Sequence, residues 1–341
     1  MHNTKTTRRE LTTFLVVAFA VPYLMGVPLA FAQRAGQDTS LFANAQMLYP
    51  AAGVMLAYLL ARRPGLPMRF YALHIVSTVV CMVCSILSVM MPSQSWLLAV
   101  NIVVMAASVL GWVLLLTEKK EKRAACGLRW RGKFLAALGV CALFLALKTG
   151  MMFLSAAMSG PEYWAEYLAY WQTFVPWVNL LVLPLNFFLA FLPFLGEEYG
   201  WRYYLTPVLQ QRFGKRRGVL LLGVLWGLWH LPLNLFFYSP ETSLQSLVAQ
   251  LVVCITMAVF FTFGYEVCGQ NLWVPVLLHY LNNNGILVWA GTADISNQVY
   301  TWADVGASAV LYGVCFLPFL AAKVFRKDAA GEPETPPADD L

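Results

Sequence analysis

Charge is what this sequence has least of. Asp, Glu, Lys and Arg make up 12% of its 341 residues, against about 25% in soluble domains. Apolar residues reach 60%, and the mean hydropathy is +0.63. A soluble globular fold is excluded, and no stretch reads as a separate soluble domain. Polar and apolar residues do not alternate, so a β-barrel has no support. There is no internal repeat and no nucleic-acid motif. The seven cysteines (Cys81, Cys84, Cys126, Cys141, Cys254, Cys268 and Cys315) are odd in number and lie mostly within apolar runs. That pattern argues against a disulfide framework. Cys81 and Cys84 have C-x-x-C spacing, but inside a membrane helix they read as small packing residues. Histidine occurs only four times, so each one inside an apolar run stands out.

What is present is a series of ten apolar runs, over 11–32, 44–61, 70–91, 95–117, 134–158, 177–200, 218–238, 244–268, 273–290 and 303–325. Most approach the ~20 residues that a helix needs to cross the hydrocarbon core. They are unbroken and rich in Leu, Val, Ala and Phe. Only a helix satisfies its own backbone in lipid in such runs. The expectation is an all-α polytopic membrane protein of about ten transmembrane helices.

The net charge of +6 would suit nucleic acid if it were clustered on one face, but its distribution points to a bilayer. With the N-terminus inside, the inner segments hold Lys5, Arg8 and Arg9, then Arg62, Arg63 and Arg69, then seven basic residues from Lys119 to Lys133. Arg202, Arg212, Lys215, Arg216 and Arg217 follow, with Lys323, Arg326 and Lys327 last. That is 21 of the 23 Lys and Arg residues; Arg34 falls outside and Lys148 lies within a span. This is the positive-inside pattern. It places both termini in the cytoplasm and the chain in the lipid bilayer, with no nucleic-acid partner. The compact size suits a bacterial cytoplasmic membrane.

The basic stretch 118–133 divides the chain. Residues 1–133 form an N-terminal membrane region of four helices and a basic loop. Residues 134–325 hold nearly all the polar chemistry. Residues 326–341, with their prolines and acids, read as a disordered tail. Residues 159–176 combine Tyr163, Trp164, Tyr167, Tyr170 and Trp171 with Glu162 and Glu166, the composition of an interfacial helix. Thr7-Arg8-Arg9, an apolar stretch and Ala30-Phe31-Ala32 have the outline of a signal peptide. The apolar stretch is longer than a usual signal core, so residues 1–32 read as a retained anchor.

The most informative residues are Glu197 and Glu198, at the end of the 177–200 run. A carboxylate at bilayer depth is expensive, roughly 2.5–3.5 kcal/mol, and marks function by default. Adjacent helical residues point about 100° apart, so the two cannot share one site squarely. Arg202 is four residues after Glu198, at ion-pair spacing. Glu198 and Arg202 are therefore assigned to each other as a supporting pair. Glu197 is left without a cation, and in a dry site it can serve as a base.

Depth brings in two histidines. Glu197 lies 17 residues before Gly214, and His230 lies 16 residues after it. If both arms are helical, the two sit at nearly the same level, roughly 24 Å along the helices from the turn. His279 and Asn283 share one face of the run that starts near Gln270, and Asn283 is roughly 20 Å along it. Glu197, His230, His279 and Asn283 thus fall at comparable depth. A carboxylate can take a proton from water, while imidazoles and an amide can donate to a developing oxyanion. Alternatively, Glu197, His230 and His279 are a candidate ligand set for zinc or another divalent metal. Asn283 would then polarise the substrate and Glu198 act as base.

The motifs carry a resemblance. Glu197-Glu198-x-x-x-Arg202 resembles the E-E-x-x-x-R motif of the CAAX protease and bacteriocin-processing (CPBP, or Abi) intramembrane proteases. Trp226-Gly227-Leu228-Trp229-His230 is similar to their F-x-x-x-H motif, with Trp in place of Phe. His279-Tyr280-Leu281-Asn282-Asn283 matches H-x-x-x-N. The resemblance covers about residues 190–290, and all three motifs occur in order. It implies an eight-helix core around a conical cavity, and hydrolysis of a membrane-associated protein or peptide. Eukaryotic members remove the last three residues of prenylated CAAX proteins. Bacterial relatives are tied to bacteriocin maturation and self-immunity. By resemblance, Glu197 and His230 activate water, and His279 and Asn283 stabilise the oxyanion.

Two other readings use the same residues. A proton- or cation-coupled transporter would use Glu197, His230 and His279 as a relay. A non-catalytic immunity or binding protein would keep only the fold. His74 reads as a residue at the cytoplasmic boundary. Trp201, Trp226, Trp229 and Trp273 read as belt or cavity-wall residues. Lys148 snorkels, meets a lipid headgroup, or lines the cavity.

Overall fold

The computed structural model describes residues 6–292 and 294–326. Each of the ten apolar runs becomes helical. Seven helices are long and apolar enough to cross a membrane: Arg8–Arg34, Met68–Met90, Trp96–Thr117, Phe134–Met158, Val175–Phe213, Ser243–Val267 and Trp302–Ala321. A bent pair, Lys215–Trp229 and Leu231–Tyr238, with 40° between its parts, has the length and composition of an eighth when its two halves are taken together. Strands do not occur among the described residues. The fold is an all-α membrane fold.

The two remaining runs are apolar for another reason. The helices Tyr49–Leu60 and Trp273–Asn284 have only 12 residues each. In the first, Tyr49 to Met55 are all buried, and in the second Trp273 to Val276 and Leu278 to Tyr280 are. Their hydrophobicity fills a protein interior instead of facing lipid. By contrast, the Trp96–Thr117 and Phe134–Met158 helices leave Leu98, Ile102, Leu116, Leu135 and Leu138 exposed, the pattern of a lipid-facing stripe.

Contacts define two ends of the bundle. At one end Arg63 pairs with Glu10, its Nη2 2.9 Å from Oε2. Glu10 also closes a capping box with Thr7. At the same end the basic loop meets the start of the second histidine helix. Lys133 Nζ donates to the Val267 carbonyl at 3.0 Å, and Asn271 and Trp273 side chains donate to the Arg131 and Leu128 carbonyls. At the other end, the amides of Asn297 and Gln298 donate to the carbonyls of Phe237 and Tyr238. The aromatic-rich segment forms a helix there, over Pro161–Gln172. Its Tyr170 hydroxyl donates to the carbonyls of Leu287 and Val288.

The helix bearing the two glutamates, Val175–Phe213, is shaped by its own sequence. Pro193 removes an amide and crowds the preceding turn. Three residues earlier Ala190 leaves helical geometry, with φ −139°. After Glu198 the backbone widens into a π-helical turn over Tyr199–Leu205, a feature often found at functional sites. Gly196 and Gly200 share one face and lie against residues 47–50. A Cβ on Gly200 would sit 3.1 Å from Pro50 Cα, and one on Gly196 would run into the Met47 carbonyl. These glycines let the short Tyr49–Leu60 helix press on the glutamate helix.

Helices from both sides of the 118–133 boundary share one core. Tyr71 and Tyr199 hydroxyls meet at 2.6 Å, Gln46 Nε2 donates to the Trp229 carbonyl at 3.0 Å, and Phe14 packs edge-on to Trp201. The N-terminal region therefore buttresses the glutamate helix. His74 is fully buried, with Nε2 3.0 Å from the Leu48 carbonyl. The expected disordered tail lies outside the described residues beyond Arg326.

Gly200→Leu should push the two helices apart and lower stability by about 1–3 kcal/mol, the usual effect of overpacking. Thermal unfolding of the detergent-solubilised protein measures this; an unchanged midpoint would mean that the close approach contributes nothing.

Candidate active site

Glu197 and Glu198 are 2% and 0% exposed, and they find different partners. Glu198 Oε1 accepts from Arg202 Nη1 at 3.0 Å and from His279 Nδ1 at 2.7 Å. The guanidinium of Arg202 is fully buried, 4.3 Å above the Trp226 ring and 5.1 Å from Phe261. The i, i+4 spacing thus produces the expected pair. It also moves Arg202 from the inner loop, where the charge count put it, into the interior.

Glu197 has no Lys or Arg within ion-pair distance among the described residues. Two indoles take that place. Trp226 Nε1 donates to Oε2 at 2.7 Å and Trp201 Nε1 at 3.2 Å. Oε1 faces His279 Nε2 at 3.9 Å. His279 thus spans the two glutamates: Nδ1 is committed to Glu198, and Nε2 is the atom that looks toward Glu197.

His230 sits where the Lys215–Trp229 helix ends, with φ −81° and ψ 0°. Pro232 follows, and the chain bends there. Its carbonyl accepts both the amide and the Nδ2 of Asn234, each at 2.9 Å. Asn234 is in turn held by Ser246 at 2.6 Å. The ring donates Nδ1–H to the Trp226 carbonyl at 2.8 Å, since a carbonyl only accepts. Nε2 therefore carries the lone pair of the neutral ring. Asn283 is exposed, and its Oδ1 accepts from Asn282 Nδ2 at 3.0 Å. Its own Nδ2 is left as a donor.

All four candidate residues, Glu197, His230, His279 and Asn283, line one cavity of about 950 Å³. The level-matching of three helices is thus realised in space. The cavity reaches the surface between Asp38, from the 35–39 loop, and Asp294 and Ile295. That is the end away from the basic loops, and no residue of 61–69 or 118–133 lines it.

Sequence spacing left the partners of Glu197 unread. Trp201 was within reach of reasoning, because it follows Glu197 by four residues. Trp226 stands in the motif where the resemblance has Phe. Its indole N–H makes a bond that Phe cannot. Trp226 and Trp229 do line the cavity, whereas Trp201 is fully buried and Trp273 stacks on Trp112 at 5.0 Å. None of the four forms a belt.

Among the described residues no three His, Cys, Asp or Glu side chains converge as metal ligands. Nδ1 of each ring is engaged, which leaves Nε2 of His230 and of His279 as the atoms that would face a metal ion.

Neutralising Arg202 should strand the buried Glu198 charge. Arg202→Met is expected to destabilise the protein by about 3–5 kcal/mol, and adding Glu198→Leu to recover much of it. Thermal unfolding of the single and double variants tests this; equal midpoints for both would show that the pair is not coupled.

Comparison with known proteins places this geometry. Residues 177–285 match the family described as type II CAAX prenyl endopeptidase Rce1-like. A protein named CAAX prenyl protease 2, from Methanococcus maripaludis, is 40% identical over 126 residues. The aligned stretch is 36% of this chain, and the chain spans 43% of that relative's length. The matched segment contains all three motifs, and over it the chain is similar to the Rce1-like proteases.

Proposed function

We propose that the chain is an intramembrane endopeptidase that hydrolyses a peptide bond of a membrane-associated protein or peptide. One observation carries this reading: Glu197 Oε1 and His279 Nε2 face each other at 3.9 Å in the wall of a cavity that also holds His230 and Asn283. Such a constellation supplies a base, two imidazoles and an amide donor around one point.

Glu197 takes a proton from water at Oε1. Two indole N–H groups on Oε2 fix the carboxylate and stop it from rotating away. The water oxygen adds to the scissile carbonyl carbon, and the C–N bond then breaks. The proton goes on to the departing amine. His279 is aligned by Glu198 through Nδ1, so its protonated form aims Nε2–H at the oxyanion, with Asn283 Nδ2 as a second donor. His230 offers a basic Nε2 on the same wall for the water proton. Glu198 and Arg202 position His279 and do not touch the reacting atoms. Each of these steps is written with side chains alone; Glu197, His230 and His279 are the residues that would hold a divalent metal, which would supply Lewis-acid activation of the water. Metal analysis of purified protein checks this. Zinc at one per chain, lost on Glu197→Gln, would replace the carboxylate-first scheme with a metal-bound water.

Substrate class follows from the cavity mouth. It lies at the end away from the basic loops, which the positive-inside pattern puts outside the cytoplasm. A bacteriocin or immunity peptide presented on that side fits this access. A prenylated tail in the cytoplasm does not.

The deciding experiment compares peptide termini in membranes of cells carrying the wild type, Glu197→Gln or no protein. New ends that require the wild type and vanish with Glu197→Gln are expected, and they would name the substrate. A phenotype of deletion that Glu197→Gln fully restores would shift the account to transport or binding. With a cleavable substrate in hand, Trp226→Phe should lower kcat about ten-fold, since a hydrogen bond to a charged group contributes roughly 1.5–3 kcal/mol and Trp201 partly compensates. An unaltered kcat would show that Trp226 only shapes the pocket.

A further inference from the structure

Lys148 is a buried cation that the mechanism does not use. It lies on the Phe134–Met158 helix, 7% exposed. Its Nζ donates to the Tyr312 hydroxyl at 2.7 Å, and it sits 4.8 Å from the Tyr312 ring centroid and 5.6 Å from that of Trp289. Glu10 with Arg63 and Glu198 with Arg202 show how this protein otherwise compensates buried charge. For Lys148 no Asp or Glu lies within ion-pair distance among the described residues. An ammonium has three N–H donors, and the aromatic faces stabilise the charge without filling the other two. A cation at bilayer depth without an anion is costly and marks function.

Its location says what the anion belongs to. Lys148 lines the same cavity as Glu197 and His279. The neighbouring Thr149 accepts from Trp289 Nε1 at 3.0 Å, which sets Lys148 level with Trp289. Trp289 is ten residues beyond His279 along successive helices, Trp273–Asn284 and Ile286–Ala290, roughly 15 Å. An extended peptide covers about 3.3–3.6 Å per residue, so roughly four residues bridge the gap.

We propose that Lys148, with Tyr312 and Trp289 around it, is the binding site for a carboxylate of the substrate about four residues from the bond that is cut. This rests on the peptidase reading of the cavity. The carboxylate is either the C-terminus of the substrate or an Asp or Glu side chain.

The test measures binding, so it does not depend on cleavage. The full-length Glu197→Gln protein is placed in lipid nanodiscs and titrated by fluorescence anisotropy. The probe is a labelled apolar octapeptide in three forms: a free C-terminal carboxylate, the C-terminal amide, and the amide with Glu as its last residue. The free carboxylate should bind about ten- to a hundred-fold tighter than the plain amide. Adding Lys148→Met should erase that preference and leave amide binding unchanged, while Lys148→Arg should keep it. Should Lys148→Met not fold, Lys148→Gln removes the charge at similar length. Recovery by the Glu-bearing amide would make a side-chain carboxylate sufficient; no recovery would assign the site to a C-terminus. Equal affinities for acid and amide, a preference that survives loss of the lysine, or no saturable binding of the acid form would each overturn the proposal. Failure of the peptidase reading appears elsewhere, as membrane peptide ends that do not change with Glu197→Gln.

Discussion

The site depends on burying two neighbouring carboxylates without neutralising both. Adjacent helical positions diverge by about 100°, so each glutamate meets a different environment. Glu198 is enclosed by Arg202 and His279 at hydrogen-bond distance. Glu197 is held by indoles, which fix its direction and leave its charge uncompensated. Exchanging the order of the two residues would put the free carboxylate against Arg202. Trp226 ties the arrangement together. Its N–H holds Glu197, its ring lies under Arg202, and its carbonyl orients His230. One side chain and its own backbone therefore touch both glutamate systems and one histidine.

Backbone irregularity provides the rest. The bend at His230 comes with Pro232, and the broken turn at Ala190 comes with Pro193. Gly196 and Gly200 flank the glutamates and admit the Tyr49–Leu60 helix. That helix is too short to cross a bilayer by itself, and its function is support. It fills the space behind the glutamate helix, while Phe14 and Phe19 of the Arg8–Arg34 helix pack on Trp201. Precision at Glu197 Oε2 thus comes from the N-terminal region as much as from the motif-bearing one.

Depth was legible in the sequence, and rotation was not. Counting residues from the Gly214 turn set Glu197 and His230 level, because helical rise is fixed and the connection is tight. The same arithmetic placed His279 and Asn283. It could not say which histidine faces which glutamate, since that depends on how each helix turns about its axis. His279 proves to be the one opposite Glu197 Oε1, whereas His230 turns its Nδ1 to a carbonyl. Hydropathy likewise marked every helix but could not separate lipid-facing from protein-facing runs. Tyr49–Leu60 is as apolar as true spans because neighbours wrap it. The burial of His74 and Arg202 was hidden for a related reason. A polar residue near a span's end reads as interfacial unless its partner, the Leu48 carbonyl or Glu198, is known.

The charges around the cavity form a sequence from mouth to floor. Exposed Asp38 and Asp294 stand at the rim, Lys148 lies deeper beside Tyr312, and Glu197 lies beyond it near His279. A segment rich in acids would be repelled at the rim before any carboxylate reached Lys148. A peptide with one carboxylate and otherwise apolar or basic residues meets no such barrier. The rim therefore selects against acidic runs while the lysine selects for a single carboxylate. Together they favour a chain end over an acidic stretch as the part that enters first.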